Sequence, residues 1–277
     1  MASQIPSASD VLNISEGMDY INSEYSQNPS LRTGQKPPVG VLCCADSRLP
    51  PEALYGVGPG KIFILRNIGN SAENSDALKA VIKDKNGALT EEDLVKLLED
   101  GHQLLSKEAK HYFTYAVHLG VKEFKVLGHE NCGCINNAYN CNCGKDHGHD
   151  HASGPENDII KEMGNDKSFA TSLISEEESP AYLSKLGLRI SGDPVKDHIR
   201  AITIKHANFQ RMLVSAFIKT LKKDYPINVS VDFLDLAADP SVLYSFSKET
   251  GCFYDASLKT PPSRHIPDPQ NNPKHNS

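Results

Sequence analysis

Apolar residues along the chain fall into short runs separated by polar intervals that Gly and Pro punctuate. The runs at 39–44 (VGVLCC), 61–65 (KIFIL), 124–127 (FKVL) and 227–236 (INVSVDFLDL) have the length and content of buried strands. Other apolar positions recur at helical spacing. Val11, Leu12, Ile14, Met18 and Ile21 predict an amphipathic helix over 9–24, behind a Ser-Asp start. Tyr112, Phe113, Ala116, Val117 and Leu119 predict another, stopped by Gly120. Ile199, Ile202, Ala207, Met212, Leu213 and Phe217 predict a long helix over about 194–223. Shorter helical stretches are expected in PEALYGVGPG, one or two turns only, and from Ser75 or Asp76 onward. Asp239-Pro240 is read as opening a last helix, SVLYSFSKE, ended by Gly251.

Strand and helix alternating in this order predict an α/β fold: a mostly parallel four- to five-stranded sheet flanked by helices, in one domain with inserted loops. The expected division is an N-terminal helical arm over 1–34, a domain over 35–255, and a disordered tail over 256–277 that is dense in Pro and Asn. Insertions are placed at about 83–110, a charged interval, and 135–157, whose Gly, His, Cys, Asn and Asp predict a loop.

Composition narrows the classes. The 277 residues are 39% apolar and carry a net charge of −6 with no dense basic stripe, which argues against nucleic acid as a partner. The first ten residues lack the pattern of a secretory signal, and no stretch has the length to cross a bilayer, so no membrane association and a cytoplasmic location are expected. Seven cysteines, an odd number, fit reduced thiolates kept for metal binding or catalysis better than a disulfide framework.

The candidate chemistry collects where the predicted strands end. Cys44, Asp46 and Arg48 close the first strand in CCADSR, Arg66, Asn67 and Gly69 close the second, and His129 and Cys132 close the third in GHENCGC. In an open parallel sheet, ligands bind beyond the carboxyl ends of the strands, where the strand order reverses. The His-x-x-Cys spacing lets both side chains reach one ion, and Cys44 from a neighbouring strand would supply a third ligand. Two thiolates and an imidazole select zinc, and three protein ligands leave a fourth position for water or substrate. Each half alone is a weak pattern, since a single Cys at a strand end is commonly a small buried hydrophobe.

These residues resemble the motifs of the β-class carbonic anhydrases. CADSR at 44–48, RNIGN at 66–70 and HENCG at 129–133 are similar to that family's C-x-D-S-R, R-N-x-x-N and H-x-x-C-G, in the same order. The resemblance implies one Zn(2+) per chain on Cys44, His129 and Cys132, with Asp46 and Arg48 as the catalytic dyad and Ser47 supporting the turn. It implies Gln35, Phe63, Ile68 and Tyr115 as substrate contacts, although Phe63 and Ile68 taken singly read nearly as well as ordinary core. The implied activity is hydration of CO2 to bicarbonate and a proton by zinc-bound hydroxide, and the implied assembly is a homodimer or a multiple of dimers, with the N-terminal arm lying across the neighbour.

The chain departs from the family pattern in three places. Cys134 stands where a second Gly is usual, the interval between Asn70 and Tyr115 is long, and Trp is absent. DKNGALTEEDL imitates a calcium loop, but Ile82 falls at its first ligand position, and a turn followed by a helix capped by Thr90 explains the same residues. The tract CNCGKDHGHDH, 141–151, reads as a mobile loop with adventitious metal affinity. Two alternatives to CO2 hydration stay open: hydrolysis of carbonyl sulfide or carbon disulfide, and a non-catalytic metal-binding protein built on that tract.

Overall fold

A computed structural model describes residues 12–84, 89–142, 170 and 173–257. Six strands form one sheet: β1 (Val39–Cys44), β2 (Ile62–Asn67), β3 (Glu123–His129), β4 (Asn228–Asp235), β5 (Val242–Ser247) and β6 (Cys252–Asp255), in the order β2-β1-β3-β4-β5-β6. The first four run parallel, and β5 and β6 return antiparallel as a hairpin on the β4 edge. The sheet is therefore mostly parallel, as expected, but has six strands rather than four or five.

The two extra strands correct the expected last helix. Val242, Tyr244 and Phe246 alternate with Leu243, Ser245 and Ser247, a period of two, and Gly251 turns the chain with φ of 70°. Ser245 pairs with Asp232 across β4 and β5 and its hydroxyl donates to that buried carboxylate at 2.8 Å. This cross-strand partner, distant in sequence, outweighs any local helical tendency.

Eight helices accompany the sheet among the described residues: α1 (Ile14–Gln27), α2 (Pro51–Leu54), α3 (Ser75–Asp84), α4 (Glu91–Glu99), α5 (Lys107–His118), α6 (Gly133–Asn142), α7 (Ser179–Lys185) and α8 (Pro194–Leu221). The central strands β1 and β3 are largely buried, as a parallel sheet between layers requires. Gly40 through Cys44 are all buried, and a methyl group at Gly40 would overlap the Phe124 ring. Along β3, a methyl group at Gly128 would make only ordinary contacts with Ala207, Thr203 and Phe233.

The longest helix, α8, starts on Asp193, whose carboxylate accepts from the amides of Val195 and Lys196, with Pro194 in the first turn. It covers β3 and β4. The helix expected behind Thr90 in the charged interval at 83–110 is α4, and it packs on α8. Thr90 caps α4 in a reciprocal capping box with Asp93, and Leu94 is fully buried. Glu91 then fixes α4 to α8 by accepting from Ser215 at 2.7 Å and pairing with Lys219 and Arg211.

Two further expectations change. The stretch after Cys132 opens with α6 rather than a loop, because Ile135, Ala138 and Tyr139 recur at helical spacing and are buried. The N-terminal helix runs over Ile14–Gln27 within the described residues, later than expected, and none of its residues is buried. The 143–151 part of the Cys/His tract and the 258–277 tail lie outside the described residues. Among the described residues, no helix is long and apolar enough to cross a membrane.

Candidate metal centre

The strand order puts the reversal point between β1 and β3: the chain leaves β1 to β2 on one side and reaches β3 on the other. Cys44 is the last residue of β1, His129 the last of β3, and Cys132 lies just beyond. Their ligand atoms all lie within 4.8 Å of one another, and all three residues are buried. Among the described residues this is the group of His, Cys, Asp and Glu side chains that could hold a metal ion.

Local backbone explains how two strand ends reach one point. Glu130 continues the ladder past β3, its amide donating to the Leu234 carbonyl at 2.9 Å. Asn131 then takes φ of 54°, a left-handed conformation that Asn tolerates better than most residues and that reverses the chain into Cys132. On the β1 side, Arg66 bonds the Asp46 carbonyl at 2.9 Å and reaches the Cys44 carbonyl at 3.4 Å, holding the segment after the strand. The β2 turn is closed by the Asn67 side chain, which accepts from the Ser71 amide and donates to its carbonyl. Asn70 crosses to the Leu127 carbonyl at 3.1 Å, and His206 of α8 donates from Nε2 to the Gly69 carbonyl at 3.0 Å. Gln210, one turn further along α8, accepts from the Ala72 amide at 2.8 Å.

The donor set fits a zinc ion. His129 is 1% exposed, its Nδ1 bonds the Glu130 carbonyl at 3.0 Å, and its Nε2 is buried with no hydrogen-bond partner. A buried nitrogen left unpaired is costly, and a metal ligand in this tautomer is what relieves it. The two thiol sulfurs lie within 4.8 Å of each other. A hydrogen bond from Cys132, opposed by burial and helped by the amides of Gly69 and Asp46, holds Cys44 well below the ordinary thiol range. The same bond, with burial, pushes Cys132 up. One site thus favours a thiolate already before any cation is added.

Asp46 and Arg48 stand beside these atoms. Asp46 Oδ2 lies 4.0 Å from His129 Nε2 and 2.6 Å from Arg48 Nη2, while its Oδ1 accepts from Arg48 Nε and from the Arg48 amide, each at 2.9 Å. Hydrogen bonds from Arg48 hold the Asp46 carboxyl far below the usual carboxylate range. Arg48 Nη2 also donates to the Asn131 carbonyl at 3.0 Å, joining the dyad to the turn between the two β3 ligands.

Of the residues expected to contact substrate, Gln35, Phe63 and Tyr115 lie together. Phe63 stacks on Tyr112 with ring centroids 4.9 Å apart and touches Tyr115 at 5.9 Å. Gln35 and Tyr115 line one cleft with Tyr25, Leu31 and Gly60, a cleft to which Cys44, His129 and Cys132 do not contribute. Ile68 and Tyr115 are each 51% exposed. Cys134 is buried two residues beyond Cys132 but stays outside the ligand group, and neither it nor Cys43 forms a disulfide.

One set of residues was not anticipated. Arg200 of α8, 3% exposed, donates from Nε to Glu130 Oε2 at 2.7 Å, from Nη2 to Asp235 at 3.3 Å and from Nη1 to the Arg189 carbonyl at 2.8 Å. An arginine between Ile199 and Ala201 in the predicted long helix was the available signal.

A mostly parallel α/β sheet with a buried Cys-His-Cys group at its reversal point defines the architectural class. Residues 39–208 match the carbonic anhydrase family model, and the chain belongs to the β-class carbonic anhydrase family. Over 120 residues it is 27% identical to a carbonic anhydrase of Helicobacter pylori (strain J99), covering 42% of this chain and 43% of that protein. Over 114 residues it is 30% identical to a carbonic anhydrase of Pseudomonas aeruginosa, covering 41% of this chain and 40% of that protein. The matched stretch thus spans less than half the length of either relative. Among solved structures, the β-carbonic anhydrase CcaA superposes with a TM-score of 0.54 at 17% identity, over 93% of this chain and 94% of that one. A β-carbonic anhydrase from Sordaria macrospora gives 0.52 at 16% identity, over 87% and 96%. These two likenesses establish the fold.

Proposed function

We propose that this chain catalyses the reversible hydration of CO2 to bicarbonate and a proton, with one zinc ion held by Cys44, His129 and Cys132. The observation that carries the reading is the meeting of three buried ligand atoms within 4.8 Å, with the ionised Asp46 at 4.0 Å from one of them. Zinc in such a set lowers the pKa of a bound water from 15.7 to about 7 and so provides a nucleophile near neutral pH.

The chain's own groups direct the rest. Asp46, kept ionised by Arg48, accepts a hydrogen bond from the attacking water and turns its lone pair toward the substrate carbon. Arg48 engages both carboxylate oxygens, which keeps Asp46 from turning to the position the water needs. His129 is fixed as the Nδ1–H tautomer by the Glu130 carbonyl, leaving Nε2 for the ion. Gln35, Phe63, Ile68 and Tyr115 are assigned to a substrate pocket completed between two chains. Supporting this, α1 exposes Ile14, Met18 and Tyr20, an apolar set suited to lying across a second copy. One of the related structures is described as a tetramer, in keeping with a dimer or a multiple of dimers.

Stopped-flow CO2 hydration, with zinc content measured on the same samples, tests the proposal on the wild type and Cys44→Ala. The wild type is expected to hold one zinc per chain and to be active, and the variant to lose both. A zinc-loaded wild type inert toward CO2 but releasing sulfide from carbonyl sulfide would transfer the site to that hydrolysis. A wild type that takes up no zinc would refute the centre itself.

A further inference from the structure

The turn that carries the two β3 ligands is held from opposite sides by two arginines. Arg48 bonds the Asn131 carbonyl on the solvent side, and Arg200 takes the Glu130 carboxylate within the protein. The peptide between them is the one whose oxygen accepts from His129 Nδ1. The orientation of the imidazole, and the tautomer that leaves Nε2 unpaired, therefore depend on the direction of the Glu130 carbonyl.

Three attachments set that direction. The Glu130 amide is bonded to Leu234 of β4 at 2.9 Å. Its side chain is drawn to Arg200, which in turn is fixed by Asp235 at the end of β4 and by the Arg189 carbonyl. Asp235 is itself held, accepting from the amides of Ala237 and Ala238 at 2.9 and 3.1 Å. Glu130, Arg200 and Asp235 are 5%, 3% and 2% exposed, so the network lies out of water and its geometry is confined.

We infer that Glu130, anchored by Arg200, is a positioning residue for the metal centre: it orients the His129 imidazole through the Glu130 carbonyl, without touching substrate or ion. The inference rests on the zinc assignment above. It differs from a purely structural role in one respect. A buried ion pair that only braced the fold would change melting, whereas this one also sets how well the imidazole serves as a ligand. Outer groups that orient metal-bound histidines commonly account for 10- to 100-fold in affinity.

The test uses the full-length zinc-loaded protein, its cobalt(II)-substituted form, and the variants Glu130→Ala and Glu130→Gln. The wild type first has to show one tightly held metal per chain. Failure there overturns the zinc assignment, and this inference with it. With that established, Glu130→Ala is expected to lose zinc to a chelator about 10- to 100-fold faster. Its cobalt form should show shifted visible ligand-field bands, and its His129 Nδ1 proton should exchange faster with solvent. Glu130→Gln keeps an oxygen for Arg200 Nε and should fall between Glu130→Ala and the wild type. A Glu130→Ala protein that melts lower but keeps its zinc-loss rate and cobalt spectrum overturns the positioning role. Should Glu130→Ala not fold, unchanged zinc loss and spectrum in Glu130→Gln overturn it equally.

Discussion

Arg48 meets Asp46 edge to edge, with Nη2 2.6 Å from one carboxylate oxygen and Nε 2.9 Å from the other. The pair is formed two residues apart, so the turn after β1 builds it locally, and only the third contact, to Asn131, is long-range. A guanidinium in this fork is not replaceable by an ammonium. Arg48→Ala should therefore lower CO2 hydration by about 10- to 100-fold while leaving one zinc per chain, a combination that stopped-flow and metal analysis can separate. Arg48→Lys should recover only part of the loss.

Removing the ion should destabilise the fold. A ligand that binds only the folded chain contributes RT ln(1 + [L]/Kd), about 4 kcal/mol at a thousandfold excess over Kd. Dialysis against a strong chelator should lower the melting temperature, and zinc added back should restore it. In Cys132→Ala the same treatment should change nothing, since the variant has no complete ligand set to empty.

The attachment of α4 should have a pH signature. Burial raises the Glu91 pKa, but hydrogen bonds from Lys219 and Ser215, with the charges of Lys219 and Arg211, more than offset it and leave the value lowered. Glu91 binds its proton less readily folded than unfolded. Its contribution is thus fully present above the ordinary value of 4.5 and is lost as the pH falls through the lowered folded value. The stability difference between wild type and Glu91→Gln should be about 1 kcal/mol at pH 7 and shrink below pH 4.5 in urea titrations. CO2 hydration at pH 7 should not differ, since Glu91 lies in the α4 to α8 contact and not at the metal centre.

The Cys/His tract offers a competing explanation of metal binding, and substitution can isolate it. Replacing Cys141, Cys143, His147, His149 and His151 with Ser should leave one slowly exchanging zinc per chain and unchanged CO2 hydration. Only loosely held metal, removed by brief dialysis, should disappear. Loss of the tightly bound equivalent would instead place the principal site on the tract.

The core strands were legible because a parallel sheet buries both faces and leaves uninterrupted apolar runs such as VGVLCC, whose ends mark where ligands can gather. The meeting of Cys44, His129 and Cys132, and the pairing of Asp46 with Arg48, were legible for a related reason: polar groups placed directly after such runs have little structural use. The hairpin β5 and β6 was missed because the period-two alternation in VLYSFS is short and its decisive partner, Asp232, lies on another strand. The start of α6 was hidden by its own composition, with Ile135, Ala138 and Tyr139 spaced among Asn, Gly and Cys residues that by themselves describe a loop. Arg200 sits among apolar neighbours, where a charge can be assigned a partner only after the fold brings Glu130 and Asp235 to it.

One uninterrupted rod, α8, touches the surroundings of the centre at Glu130 through Arg200, at Gly69 through His206 and at Ala72 through Gln210. These grips span ten residues, about 15 Å along the axis. Two loops separated by some sixty positions in the chain are thereby obliged to share one frame of reference. Any sliding or bending of that rod would shift the Gly69 loop relative to Glu130, so tolerance to mutation along its inward stripe should be set by the alignment of these two loops as well as by packing.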